Sequence, residues 1–224
     1  MGMEPQVCLT LPLLEGTDGV QKMSCHFEAD LDRSGRSVLA IRPLLWKNDW
    51  PGAGEPFKEG NYEIVSERRG YALELAVDFV RMAPTGGWFR RNLDEPIAPI
   101  ASQTLDEVIV TWPDGEIPVR IGDYMARPHQ KWEISAVPEA GGYLGSPYYK
   151  IVIAGTGRAL AATAECEVTT MESFSGEDNQ LWRIDQLPDG TFRIMPKKIP
   201  GCEEPYALVS VADSTPSLSK FDPD

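Results

Sequence analysis

A repeat of aromatic, apolar and small residues constrains this chain more than any other feature. In residues 62–73 and 149–160, Tyr is followed by Ile two positions later, Gly at the eighth position, and Ala-Leu at the tenth and eleventh. A third copy, with Phe in place of Tyr and five extra residues in its turn, spans residues 192–208. One such unit cannot bury its apolar face alone. The copies therefore predict three two-stranded units that pack around a common core.

A second repeat closes the first two units. Residues 130–134 (QKWEI) and 180–184 (QLWRI) are each followed by a proline at the same spacing, and Pro-Asp-Gly at 188–190 predicts a turn. Residues two positions apart face the same side of a strand. We therefore expect Trp132 and Trp182 to be buried on equivalent strands, in one core with Ile64, Ile151 and Ile194.

Composition agrees with an all-β fold. The chain of 224 residues contains 20 Gly and 19 Pro, and the apolar runs between them are short and rich in Val, Ile and aromatic residues. The formal net charge of -13 repels phosphate backbones and anionic lipids. Neither nucleic acid nor a membrane surface is therefore an expected partner.

Compartment and metal chemistry follow from the cysteines and the N-terminus. Cys8, Cys25, Cys166 and Cys202 are too scattered for a disulfide scaffold or a zinc site. No stretch is apolar enough to span a bilayer, and residues 1–15 do not read as a signal peptide. We expect a protein without cofactor or metal, either cytoplasmic or secreted without a recognisable signal.

The Gln-x-Trp strands, registered against three aromatic-x-Ile copies, resemble the ricin B-type lectins. This resemblance, sharpest at residues 179–182 (NQLW), implies a β-trefoil of three units over residues 60–224, divided as 60–135, 146–185 and 186–224. Two departures stand out. The third unit ends before any Gln-x-Trp strand, so that strand is truncated, disordered or supplied by another segment, for which the N-terminal extension 1–59 is the obvious source. The first unit contains a long inserted loop, residues 79–104.

The resemblance also implies where a sugar would bind. Members of the family use an Asp just after the Ala-Leu strand and an Asn just before Gln-x-Trp, with an aromatic face over the sugar ring. The Asp place holds Glu74, Ala161 and Val209 in the three units, so no unit has the full set. The candidate ligand-binding residues are Glu74, Tyr124 and His129 in the first unit and Phe174, Asp178 and Asn179 in the second. For Tyr124 and Phe174 the alternative is core or loop packing, and for Glu74 it is a solvated position on a strand edge.

A protein partner is the second hypothesis. Fungal β-trefoil peptidase inhibitors are similar at this level and act through long loops. The loop 79–104 has Trp88, Phe89, Arg90 and Arg91 at its centre, residue types enriched at interface hot spots. The alternative is an insertion that folds back on the body. The expected partners are thus a glycan or glycoprotein, or alternatively a peptidase, with a homodimer left open.

Catalysis is the weakest hypothesis. His26 and His129 are the two histidines, and Cys25 beside His26 would point to the opposite face of a strand. No nucleophile elbow, P-loop or dinucleotide-binding motif is present. We expect a protein that binds and does not catalyse, with no catalytic residue to name.

Overall fold

The computed structural model describes residues 9–27, 38–66, 70–77, 112–211 and 215–220. These residues form short strands and three 3-10 turns, so the all-β prediction is confirmed. Within them, no helix is long and apolar enough to cross a membrane. The 3-10 turns are Pro128–Gln130, Pro138–Ala140 and Asp178–Gln180.

The N-terminal residues form a four-stranded antiparallel sheet of their own, in chain order. Its strands are β1 Leu9–Glu15, β2 Gln21–Phe27, β3 Val38–Lys47 and β4 Trp50–Ala53. Asn48 and Asp49 connect β3 to β4 with φ of 51° and 62°. Two central residues with positive φ are what a two-residue hairpin turn requires, and Asn and Asp tolerate that conformation.

Apart from a short pair, the remaining strands fall within the ranges of the three predicted units, to within a residue. The first unit has β5 Gly60–Tyr62, β6 Tyr71–Leu75, β7 Ile117–Asp123 and β8 Trp132–Ala136. After the short pair β9 Gly142–Tyr143 and β10 Ser146–Pro147, the second has β11 Tyr149–Ile153, β12 Ala159–Ala162, β13 Val168–Met171 and β14 Trp182–Gln186. The third has β15 Phe192–Pro196, β16 Tyr206–Val211 and β17 Thr215–Lys220.

The first and last strands of the units form a continuous antiparallel ladder, β5-β8-β11-β14-β15. Hairpins β6-β7 and β12-β13 are joined through β13 and β7. Gly190, with φ of 91°, closes the β14-β15 hairpin by donating its N–H to the Leu187 carbonyl at 3.0 Å. The turn predicted at 188–190 is therefore present.

Trp132, Trp182 and Ile151 are fully buried in one core, against which Ile64 and Ile194 are partly buried. The predicted burial of both Trp side chains is confirmed, and each is the first residue of its strand. Burial of side chains of this size is a large apolar contribution to stability.

The described part of residues 1–59 does not add a strand to the ladder. Phe57 instead packs into the core, with its ring centroid 5.0 Å from that of Tyr62, 5.4 Å from Tyr149 and 5.5 Å from Phe192. Among the described strands, β5 and β15 each have one ladder neighbour.

Charged side chains attach the N-terminal sheet to the body. On β14, Arg183 and Asp185 alternate with the core residues, yet both are buried. Arg183 lies 2.5 Å from the Asp18 carboxylate and 2.7 Å from Asp185. Lys22 of β2, 1% exposed, donates to Ser146 Oγ at 2.6 Å. The outward face of β14 is thus covered by the N-terminal sheet, and its charges are paired there.

Candidate functional site

Each Gln-x-Trp strand is preceded by a turn that the glutamine side chain holds. Gln180 Oε1 accepts the Ser175 N–H at 2.7 Å, and its Nε2 donates to the Ser173 carbonyl at 3.2 Å. Gln130 makes the same two bonds, to residues five and seven positions earlier, at 2.9 and 2.7 Å. Both amides are buried, so these glutamines have a structural role and position the residue before them.

The tryptophans fix the correspondence between the two units. Each indole N–H donates to the carbonyl of the Leu in the Ala-Leu pair, at 3.0 Å in both cases. The residue after that Leu is Glu74 in the first unit and Ala161 in the second. Glu74 and Ala161, which the sequence repeat aligns, therefore also occupy corresponding places in the structure.

In the first unit, the carboxylate of Glu74 is enclosed by other side chains. Arg120 Nε donates to Oε1 at 2.7 Å, and Gln130 Nε2 donates to Oε2 at 2.7 Å. His129 Nε2 lies 3.3 Å from Oε2, and the His129 side chain is 0% exposed. The Glu74 side chain itself is 5% exposed. The structure thus brings Glu74 and His129 together, but within an internal network.

This network changes the acidity of Glu74. Burial raises the pKa of a carboxyl group, but hydrogen bonds from His129, Arg120 and Gln130 outweigh it. Together they lower the pKa of Glu74 from 4.5 to about 2. Glu74 is therefore a permanently charged anchor for three neighbours at neutral pH.

Tyr124, the aromatic candidate of the first unit, is 37% exposed. Its hydroxyl donates to Glu63 Oε1 at 2.6 Å, and this bond raises the pKa of the Tyr124 phenol. The ring is accessible, but its polar end is bonded to Glu63 and not to Glu74 or His129.

In the second unit, Ala161 leaves the amide of Asn179 without an acidic neighbour at the equivalent place. Asn179 Nδ2 donates to the Ala162 carbonyl at 3.1 Å. Its Oδ1 is buried and has no hydrogen-bond partner among the described residues. A buried acceptor without a donor costs about 1–3 kcal/mol, so this oxygen is a place where a ligand donor would be stabilising.

The other two candidates of the second unit, Phe174 and Asp178, both precede Asn179 in sequence and are partly accessible. Asp178 forms an ion pair with Lys197 at 2.8 Å, and its side chain is 49% exposed. Phe174 is half-buried, with Lys150 Nζ 5.6 Å from its ring centroid. At this distance, the Lys150 ammonium and the Phe174 ring attract each other weakly. An acid, an amide and an aromatic ring are thus available on one turn.

The structure adds partners that sequence reasoning missed. Arg120 and Lys197 neutralise Glu74 and Asp178, but each comes from another strand or turn, and nothing in its local sequence indicates the pairing. The cluster around Arg183 was equally hidden. Its one signal was the presence of two charged residues, Arg183 and Asp185, alternating with the core residues of a strand.

The remaining candidates lie outside the described residues. Trp88, Phe89, Arg90 and Arg91 belong to residues 78–111, so partner binding by the loop 79–104 stays a prediction. Within the described ranges, no group of three or more His, Cys, Asp or Glu side chains is arranged to hold a metal ion.

Comparison with known families gives a match to the middle and C-terminal part of the chain. Residues 128–204, about a third of the chain, match the family described as ricin-type beta-trefoil lectin domain-like. The segment contains both Gln-x-Trp strands and the whole second unit. The resemblance to ricin B-type lectins is therefore confirmed over this segment.

Similar curated proteins are matched over short segments. The chain is 40% identical over 74 residues to a tyrosine–tRNA ligase of Chlorobaculum tepidum, covering 30% of this chain and 18% of that enzyme. It is 31% identical over 104 residues to the tyrosine–tRNA ligase of Nitratidesulfovibrio vulgaris, covering 43% of this chain and 22% of the enzyme. The chain thus spans less than a quarter of the length of these relatives.

Solved structures give distant likenesses. A mosquitocidal holotoxin matches with a TM-score of 0.49 at 14% identity, over 78% of this chain and 17% of that one. An exo-beta-1,3-galactanase from Clostridium thermocellum matches with a TM-score of 0.44 at 15% identity, over 96% of this chain and 43% of that one. Both TM-scores are below 0.5, so these likenesses do not define the fold or the function.

Proposed function

We propose, from the ricin-type lectin match over residues 128–204, that this chain is a lectin-like β-trefoil protein that binds carbohydrate through its second unit. The proposal includes three pseudo-equivalent units over residues 60–224 and action by binding without catalysis. Support for the trefoil comes from the ladder of five strands and the identical Gln and Trp hydrogen bonds of two units.

The observation that carries the binding site is the amide of Asn179. Its Nδ2 is fixed by the Ala162 carbonyl, which orients Oδ1 as an acceptor that lacks a donor among the described residues. Sugar hydroxyls are donors as well as acceptors. A small local displacement that admits one hydroxyl to Oδ1 would therefore satisfy a buried polar atom and fix the sugar at once.

The neighbours of Asn179 supply the other two requirements of sugar recognition. Asp178, half exposed, accepts hydroxyl protons, and its ion pair with Lys197 holds it in place. Phe174 provides an apolar face for the ring carbons. In the first unit, both oxygens of Glu74 already have protein partners. The second unit is thus the better place for a ligand.

The experiment compares the glycan affinity of the wild-type protein and Asn179→Ala. Glycans are first selected on an array, and the tightest is then measured by isothermal titration calorimetry. We expect Asn179→Ala to lose about 1–3 kcal/mol of binding free energy, the cost of a buried hydrogen bond, or roughly 5- to 150-fold in affinity. Phe174→Ala should also weaken binding, because it removes the aromatic face.

Asn61→Ala is the matched control, since Asn61 is exposed on β5 of the first unit and the substitution is the same. It should bind as the wild type does. Melting temperatures of all variants separate lost binding from lost folding. An array without a single glycan bound would contradict the function, and unchanged affinity in both Asn179→Ala and Phe174→Ala would contradict the site. Release of hydrolysed sugar during the titration would contradict the absence of catalysis.

A further inference from the structure

A cleft lies between the N-terminal sheet and the β14-β15 hairpin, and the second-unit site does not use it. Its volume is about 190 Å³, with Gln21, Lys22, Asp185, Gln186 and Arg193 among the polar lining residues. Sites for drug-sized ligands have roughly 300 to 1,000 Å³. This cleft is therefore suited to a single small ring.

Trp46 supplies an accessible aromatic face at the cleft. The residue is 50% exposed and its indole N–H donates to Gln21 Oε1 at 2.8 Å, which fixes the orientation of the ring. The register of the hairpin pairs Trp46 with Pro51 and Lys47 with Trp50. Trp50, 78% exposed, therefore points to the opposite face of the sheet and does not line the cleft.

The amide groups at the cleft offer donors and not acceptors. Gln21 Oε1 accepts the Trp46 indole, and Gln186 Oε1 accepts the backbone N–H of Glu55 at 2.8 Å. Because both partners are N–H groups, the bonded atoms must be the amide oxygens. Each glutamine also carries an Nε2 donor, and Arg193, which lies 3.5 Å from Asp185, adds a guanidinium. A ligand that bonds to these groups must be rich in acceptors.

The charged groups at the base of the cleft also favour an anion. The Asp185 carboxylate lies 2.7 Å from Arg183 and 3.5 Å from Arg193, so its charge is balanced within the protein. Asp18 is balanced by Arg183. Lys22 is a further cation of the same cluster. The cluster of Lys22, Arg183 and Arg193 with Asp18 and Asp185 thus has three cations against two carboxylates, an excess of one positive charge next to an aromatic face in a chain with a net charge of -13.

We propose that this cleft binds a saccharide ring that carries a carboxylate, with the ring stacked on Trp46 and the carboxylate bonded to Gln21, Gln186 and Arg193. Stacking uses the apolar face of the sugar, and a carboxylate pairs strongly with a guanidinium and with N–H donors. The site shares no residue with the second-unit site and does not depend on it.

The test is a titration with two acidic probes, the methyl β-glycosides of glucuronic and galacturonic acid, against the methyl β-glycosides of glucose and galactose as neutral matches. Binding is followed by tryptophan emission, because stacking on half-exposed Trp46 changes its environment. We expect at least one uronide to bind about tenfold or more tightly than its neutral match. Trp46→Ala should abolish this binding, while the control Trp50→Ala should retain it.

Asn179→Ala separates this inference from the lectin proposal. A uronide that binds Asn179→Ala as tightly as the wild type, but not Trp46→Ala, supports the cleft whatever happens at the second unit. The cleft proposal is overturned if neither uronide binds the wild type, if neutral and acidic glycosides bind equally, or if Trp46→Ala leaves uronide affinity unchanged in a protein with wild-type melting temperature. Loss of uronide binding in Asn179→Ala would assign the acidic sugar to the second unit and likewise overturn it.

Discussion

At the scale of single residues, the position after the Ala-Leu pair determines what each unit offers a ligand. Glu74 holds this position in the first unit and is bonded to Arg120, His129 and Gln130. Ala161 holds it in the second unit, where Asn179 Oδ1 remains without a donor among the described residues. The differences between Glu74 and Ala161 and between His129 and Asn179 thus distinguish an internal charge network from a candidate binding site.

The Glu74 network predicts acid sensitivity. The folded-state pKa of Glu74 is about 2 and its ordinary value is 4.5, so its contribution to stability is complete above pH 4.5 and is lost as the pH falls towards 2. A shift of this size corresponds to roughly 3 kcal/mol. Glu74→Gln has no titrating carboxyl at this position. We expect the stability difference between wild type and Glu74→Gln to fall by about that amount between pH 5 and pH 2.

Urea denaturation at several pH values measures this difference. Burial raises the pKa of Asp18, but its hydrogen bonds outweigh this and lower it. Asp18 is present in both proteins, so the comparison with Glu74→Gln isolates Glu74. A difference that stays constant from pH 5 to pH 2 would show that the Glu74 carboxylate is not stabilised by its neighbours.

Much of this residue-level picture was within reach of the sequence. The repeats placed Glu74 and Ala161 at equivalent positions, and His129 and Asn179 likewise. The structure keeps this correspondence because the two Trp indoles donate equivalent hydrogen bonds. The pairing of Glu74 with Arg120 was not predictable. It depends on the register of β6 against β7, whose connecting residues are the long insertion of the first unit.

At the scale of elements, the two turns that precede the Trp strands are stabilised by buried glutamine amides. Gln180 bonds to Ser173 and Ser175 of its own turn. Gln130 makes the equivalent bonds and also donates to Glu74 Oε2. The turn before the Trp strand is therefore held by local hydrogen bonds alone in the second unit. In the first unit, the glutamine of this turn also makes a long-range hydrogen bond, to Glu74.

This difference predicts an order of stabilities. Gln180→Ala removes bonds whose partners lie on an exposed turn and can be hydrated, so we expect a loss of about 2 kcal/mol. Gln130→Ala additionally leaves the buried Glu74 carboxylate with one donor fewer, so its loss should be larger, about 3 kcal/mol or more. Free energies of unfolding in urea give both values. Equal losses, or a larger loss for Gln180→Ala, would contradict the role assigned to Gln130.

At the scale of the whole molecule, the N-terminal sheet is attached to the body through buried charges. Asp18 forms an ion pair with Arg183 and accepts a hydrogen bond from the Tyr143 hydroxyl at 2.6 Å. The Arg183 guanidinium lies 3.8 Å from the Tyr143 ring centroid. These contacts bury the outward face of β14. The corresponding face of β8 is exposed at Glu133.

Asp18→Asn tests this attachment. The variant retains the shape of the side chain but leaves Arg183 with one carboxylate, and breaking a buried ion pair typically costs 3–5 kcal/mol when a partner is removed. Because Asp185 still neutralises Arg183, we expect a smaller loss, about 2 kcal/mol. Asp49→Asn, on the exposed hairpin turn, is the matched control. Equal unfolding free energies for wild type and Asp18→Asn would contradict the role of this pair.

The sequence predicted the body of the molecule better than the placement of its N-terminal part. Repeats reveal residues that share an environment, so the buried Trp132 and Trp182 and the order of the strands followed from spacing alone. The Asp18–Arg183 pair joins residues 165 positions apart. Asp18 lies outside the repeats, and the position of Arg183 within the Gln-x-Trp repeat holds Glu133 in the other copy. No local pattern carries that information.

The central claim, a sugar site at the second unit, is tested most directly by an amide NMR titration with the tightest glycan from the array. The account predicts shifts concentrated in residues 173–181 and at Ala162, including the side-chain amide of Asn179, with little change near Glu74 and Arg120. Shifts confined to other residues, or none with any glycan, would contradict it.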